Sequence, residues 1–132
     1  MTAYTGTNLY VVFGGTVLQA DYRSFEPEEE MGVEDGSAGA DVARTYKTTL
    51  KDGNASMTLR SLAGTAGTAR WVNLAVGGEG TLEWGPEGTA TGKIKGSVNA
   101  ILTNRSAPNE YDQVAEWSYE WQFSGAVTYS TY

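Results

Sequence analysis

Residues 115–124 read AEWSYEWQFS, and Trp117, Tyr119, Trp121 and Phe123 recur there at every second position. Ser118, Glu120 and Gln122 fall between them. Successive side chains of a strand point to opposite faces, so this spacing puts four rings on one face and the polar groups on the other. On a helix, successive rings would be turned by about 200° and scatter round the axis. The stretch predicts a strand with one apolar face. Each ring can bury roughly 150–250 Å², enough for the strand to anchor the core of a small domain. Two other readings of the same rings stay open: an exposed stacking platform for sugars or bases, and burial between subunits.

The rest of the chain is bounded by what it contains. At 132 residues it is expected to form one domain, 1–132, with a single core. It has no cysteine and no histidine, so there is no disulfide, thiolate metal site or thiol nucleophile, and the commonest general base is missing. No apolar run approaches the ~20 residues of a membrane-spanning helix, and the first residues lack a basic-then-apolar signal pattern. Synthesis in a cytoplasm is the expectation. Charge is concentrated: Asp21, Glu26, Glu28, Glu29, Glu30, Glu34, Asp35 and Asp41 stand against Arg23 alone. That excess equals the net charge of the whole chain, −7, and it is the wrong sign for a domain that grips phosphate.

Along the chain, Asn8–Phe13 reads as a strand, Gly14-Gly15 as a two-residue turn and Thr16–Ser24 as its hairpin partner. From Phe25 to Ala43 the apolar pattern gives way to acids and glycines, which predicts a long loop or arm over 25–43, either a solvated flexible loop or an arm that orders only against another subunit. Arg44–Lys51 and Ala55–Leu62 read as strands around a turn at Asp52-Gly53-Asn54. The Asp52, Asn54 and Ser56 spacing is not a calcium loop, because Met57 and Ala63 stand where a glycine and a glutamate are required. Thr65–Val76 is the one plausible helix, with Thr68 as N-cap, Trp71, Leu74 and Ala75 on one face, and Gly77-Gly78 ending it. Glu79–Trp84 and Lys93–Thr103 flank a turn over 85–92, Asn104–Asp112 is a polar loop, and Ala126–Thr131 is a last strand. The Gly-rich turn is no phosphate loop: Lys93 is followed by neither Ser nor Thr, and no helix begins there. The sum is an all-β fold with one short helix, a β-sandwich or barrel of seven or eight strands, with Trp71, Trp84, Trp117, Tyr119, Trp121 and Phe123 as core aromatics. Glu83, Glu116 and Glu120 are the carboxylates a glycosidase would need, and nothing in the sequence brings two of them together.

Four stretches carry a resemblance. LEWGPEGTATGKIKG (Leu82–Gly96), then NEYDQVAEW and FSGAVTYST, are similar to the C-terminal half of the tailed-phage tail tube (major tail protein) family. Upstream, SAGADVARTYKTTLKDGNASMTL (Ser37–Leu59) resembles that family's arm-to-barrel segment. The likeness spans most of Asp21–Thr131 through short, Gly-rich motifs. One expected departure is size, with no surface domain expected after the core. The resemblance implies a non-enzymatic virion protein, without cofactor or metal, that stacks as hexameric rings into a tube for DNA ejection. It implies partners too: further copies of itself, a tape-measure protein and tail-completion proteins, with DNA passing unbound and no membrane. Phe25, Glu28, Glu29, Glu30, Met31, Val33, Asp35 and Asp41 would form the arm between rings or subunits, and Glu28, Glu29 and Glu30 are candidate acids of the lumen. The alternatives are a head-decoration or neck protein and a carbohydrate-binding β-sandwich.

Overall fold

Val11 and Phe13 are buried on β1 (Tyr10–Phe13) while Tyr10 and Val12 are half-exposed, the alternation of a strand with one inward face. In this computed structural model, which describes residues 6–18, 22–40, 42–61, 64–111 and 114–132, a 3₁₀ turn over Gly6–Asn8 leads into it. Gly14 and Gly15, at φ +56° and +87°, reverse the chain so that Phe13 faces Thr16 on β2 (Thr16–Val17). Two consecutive left-handed residues are what a type I′ hairpin turn demands, and glycine meets that demand without strain. β2 is far shorter than the expected partner over Thr16–Ser24. Tyr22 already belongs to the next strand.

That next strand is the largest departure from the sequence reading. β3 (Tyr22–Asp35) is fourteen residues long and pairs along its length with β4 (Tyr46–Arg60). The arm over 25–43 is therefore a long β-hairpin for most of its length and not a loop. Its acids and lack of alternation hid the strand, because neither face of β3 has to be apolar where it lies against no core. Asp52-Gly53-Asn54 is not a turn either; the three residues sit inside β4 opposite Glu30, Glu29 and Glu28. Gly53 is there for space: a Cβ would stand 2.6 Å from Phe123 Cδ2 and 2.7 Å from the Glu28 carbonyl oxygen.

α1 (Gly64–Asn73) follows β4. It starts earlier than expected, and Thr68 lies inside it with its hydroxyl donating back to the Gly64 carbonyl (3.1 Å), so Thr68 is not the N-cap. Ala75, expected on the packed face, is exposed, whereas Leu74 is fully buried. β5 (Glu79–Gly85), β6 (Ile94–Ser106), β7 (Glu116–Phe123) and β8 (Thr128–Thr131) complete the chain. β6 extends into the segment read as a polar loop, as far as Ser106.

The eight strands form one antiparallel sheet in the order β2-β1-β5-β6-β7-β4-β3, with β8 also on β6. β6 is the corner. Its first half pairs with β5 and β8 and its second half with β7, in a ladder that carries a register shift between Leu102 and Asn104. Rings from strands distant in that order meet: Phe13 and Trp121 at 5.6 Å, Phe25 and Trp84 at 5.8 Å, Trp84 and Phe123 stacked at 5.9 Å. The sheet thus wraps over its own inner face, giving a mostly β sandwich or barrel with one helix. Tyr119, Trp121, Phe123 and Trp84 are buried in its core with Met57, Leu59, Leu82 and Leu102. Trp71 and Trp117 are half-buried at its rim, under α1, with ring centroids 5.3 Å apart.

Candidate assembly surface

β4 pairs with β7 only from Asn54 to Arg60. The stretch of β4 before Asn54 has β3 alone beside it, so the hairpin from Glu29 to Gly53 projects beyond the sheet as an arm. Its end is tied: Gly36 N–H donates to Thr45 O (2.8 Å), Thr45 N–H to Ser37 Oγ (2.7 Å) and Ser37 N–H to Asp35 Oδ1 (2.9 Å). The Ser37 hydrogen bonds hold the Asp35 carboxyl below its ordinary pKa. Phe25 packs on the core, and Met31 and Val33 stand in solvent with Tyr46 and Leu50 of β4. Asp41 lies outside the described residues.

Between Ser24 and Met31 the register is unbroken, so alternate residues of β3 point to opposite sides. Glu26, Glu28 and Glu30 share the outer side with Asp52, Asn54 and Ser56 of β4 and with Glu120 and Gln122 of β7. Gln122 Nε2 donates to Asp52 Oδ1 (2.7 Å) and to Gly53 O (2.8 Å). Arg60 and the Arg23–Glu116 ion pair (3.0 Å) stand at the far end of this face, leaving the arm end acidic. Glu29 points to the other side and accepts a hydrogen bond from the Tyr129 hydroxyl (2.9 Å), which ties the arm's root to β8. Burial and this bond to Glu29 push the Tyr129 pKa up to about 12. The three consecutive acids proposed for one lumen surface are therefore split, Glu28 and Glu30 on one face and Glu29 on the other.

The opposite end of β4 leads to α1. The Arg105 guanidinium lies over the Trp71 ring (3.8 Å) and donates to the carbonyls of Trp71 (2.5 Å) and Leu74 (2.8 Å). It thereby caps the helix C-terminus, where a cation is favoured. Beside the helix, Gly67, Trp71, Val72, Ala107 and Trp117 line an open groove of about 350 Å³. Of the residues that line it, Val72 is an exposed large apolar side chain. Leu50 and Val72 read as core in the sequence because an apolar residue on a regular element does; the fold shows both side chains exposed among the described residues.

The carboxylates weighed for glycoside hydrolysis are not assembled. Glu83 pairs with Lys95 (3.2 Å), Glu116 with Arg23, and Glu120 meets Asn104 Nδ2 (3.5 Å). Glu116 and Glu120 are four residues apart on one strand, roughly 13 Å, beyond the roughly 5–9.5 Å that either glycosidase geometry uses.

By sequence, no protein-family model and no curated protein matches the chain. Solved structures do match in fold. A chain from the tail of an empty gene transfer agent particle, determined with C6 symmetry, superposes with TM-score 0.76 at 9% identity, over 98% of this chain and 100% of its own. The SPP1 tail tube matches with TM-score 0.77 at 13% identity over 98% of this chain and 80% of that one. The tube complex of the extracellular contractile injection system PVC, with its sheath extended, gives TM-score 0.75 at 12% identity over 98% and 93%. Wrapped sheet, rim helix and projecting arm together span nearly all of each superposition, and the fold of this chain is that of the tail tube proteins.

Proposed function

We propose that the protein is the building block of a tail tube: copies close into hexameric rings, the rings stack, and DNA passes through the bore to be ejected. The observation that carries this reading is the match of the tail tube fold over nearly the whole chain. Two features of the subunit support it. Among the described residues, β3, fourteen residues long, ends the sheet with no strand on its outer edge. Such a row of unpaired backbone donors and acceptors is a liability in a monomer and an asset in a ring that pairs it. The acidic face of Glu26, Glu28, Glu30, Asp52 and Glu120 suits a conduit, because like charge denies DNA the counterion-release gain on which binding rests. Tape-measure and tail-completion proteins are the further partners this role calls for, and the virion tail is its place.

The test is negative-stain electron microscopy of the concentrated protein, with light scattering on the same sample. Rings or hollow tubes of uniform width are expected. A variant in which Asn-Gly replaces residues 32–50, closing the hairpin after the Met31–Lys51 pair, is expected to stay monomeric with an unchanged melting temperature. Wild-type protein that remains monomeric at every concentration overturns self-assembly. Normal tubes from the trimmed variant overturn the role given to the arm.

A further inference from the structure

The chain has no cysteine and three methionines. Where no thiol competes, the thioether of an accessible methionine is the side chain that a two-electron oxidant attacks first. The methionines differ sharply in access. Met57 is 1% exposed, inside the core, whereas Met31 is 42% exposed on β3. Met1 lies outside the described residues.

Met31 stands at a joint. It pairs with Lys51 in the last rung before the register shift between Met31 and Val33. Alternation puts it on the side of β3 that carries Glu29 and, across the rungs, on the side of Gly53. That side is turned to the body: a Cβ on Gly53 would meet the Phe123 ring, and Glu29 accepts from the Tyr129 hydroxyl. Met31 there lines a recess of about 190 Å³ between the arm and the β7–β8 connection, with Lys51, Phe123 and Val127 also in its wall. A thioether suits this place, being apolar, polarizable and unbranched, and able to fill an irregular gap beside an aromatic ring. A sulfoxide does not, because its strongly polar S–O group has to keep its hydration.

We propose that Met31 is a reversible oxidation switch at the root of the arm, set by a hydroperoxide. The sulfur lone pair attacks the nearer peroxide oxygen, the S–O bond forms and the O–O bond breaks. The farther oxygen takes a proton and leaves as water or an alcohol, so sulfur is oxidised and the peroxide is reduced. The sulfoxide then withdraws from the recess into solvent. The root of the arm loses its packing on the body and keeps only the β4 ladder and the Glu29–Tyr129 hydrogen bond. Subunits loosened in this way assemble less readily, a consequence that rests on the tail tube reading. Methionine sulfoxide reductases for both epimers restore the thioether.

Hydrogen peroxide is the probe. Trypsin separates the two methionines, leaving Met31 in Ser24–Arg44 and Met57 in Asp52–Arg60. Mass spectrometry is expected to find one added oxygen on the first peptide about tenfold or more sooner than on the second. In unassembled oxidised protein, amides over residues 29–31 and 51–53 should exchange with solvent about tenfold faster, while the core holds the melting temperature. Oxidised protein should need about tenfold more material to assemble, the effect of one apolar side chain denied its burial. Reductase treatment should return it to the untreated concentration. Met31→Leu, which keeps the volume without the sulfur, should assemble alike before and after peroxide. Equal oxidation of both peptides, or exchange that oxidation leaves unchanged, overturns the switch. Oxidised wild-type protein that assembles at the untreated concentration, or Met31→Leu protein that loses assembly in peroxide, overturns its effect on assembly. Untreated protein that never assembles overturns the tube reading alone, since oxidation and exchange are read on the single subunit.

Discussion

β4 pairs with β7 on one side and with β3 on the other, so two strands that share a partner can be compared directly. β7 puts Tyr119, Trp121 and Phe123 out of water. None of the fourteen residues of β3 is fully buried. Both are regular strands, yet only β7 carries the reason for its shape in its own sequence. β3 is held by its ladder to β4 and, at its root, by the Phe25–Trp84 ring contact and the Glu29–Tyr129 hydrogen bond. A strand can be dictated by burial or recruited by a neighbour. In this molecule the first kind builds the core and the second forms the edge of the sheet.

Three changes probe that division, in descending order of effect on stability. Trp121→Ala strikes the side that burial dictates. Trp121 is 1% exposed, and a Trp-to-Ala change in a packed core costs about 3–5 kcal/mol. Urea unfolding should show the loss, and a loss below about 1 kcal/mol would mean that β7 is not the anchor. Gly53→Ala strikes the seam, where the new methyl meets both the Phe123 ring and the Glu28 carbonyl. Overpacking of this kind costs about 1–3 kcal/mol, and an unchanged melting temperature would show that the hairpin shifts freely against the core.

Tyr129→Phe touches only the tie between arm and body. In the unfolded chain a tyrosine ionises near pH 10, whereas folded Tyr129 keeps its proton to about 12. Tyr132 is likewise raised to about 12, by burial and by Glu83 and Tyr10. Because the folded state favours the protonated form, the stability this preference provides is complete below pH 10 and lost as pH rises towards 12. The substitution should make the fall in stability between those values shallower, with Tyr132 retaining its share. An identical alkaline profile would show that the tie to Glu29 contributes nothing.

The same division explains what could be read from the sequence. The core aromatics of β7 announced themselves by strict alternation, and Gly14-Gly15 by the turn chemistry only glycine supplies. Both signals are local. β3 reads as a loop in the sequence because its pattern is set by what it does not touch, and Asp52-Gly53-Asn54 as a turn because those residues favour turns when no partner overrides them. Here β7, Gln122 and β3 override them together. Thr68 gave a cap signal that Gly64 pre-empted four residues earlier; its φ of +78° turns the chain into α1. At the candidate assembly surface the acids are legible in the sequence as a group, but their division into two faces requires the register. The groove beside α1 left no signal, since its walls come from a helix and a distant connection.

Arm and core share one uninterrupted strand, and that has a mechanical consequence. Seven residues of β4, Asn54–Arg60, are clasped by β7 in continuous register. A pull on the arm along β4 would load those rungs side by side, in shear, and they would have to fail together instead of opening one after another like a zipper. A filament strung from such joints would pass tension from subunit to subunit through backbone, with the aromatic cluster behind it acting as the anchor block.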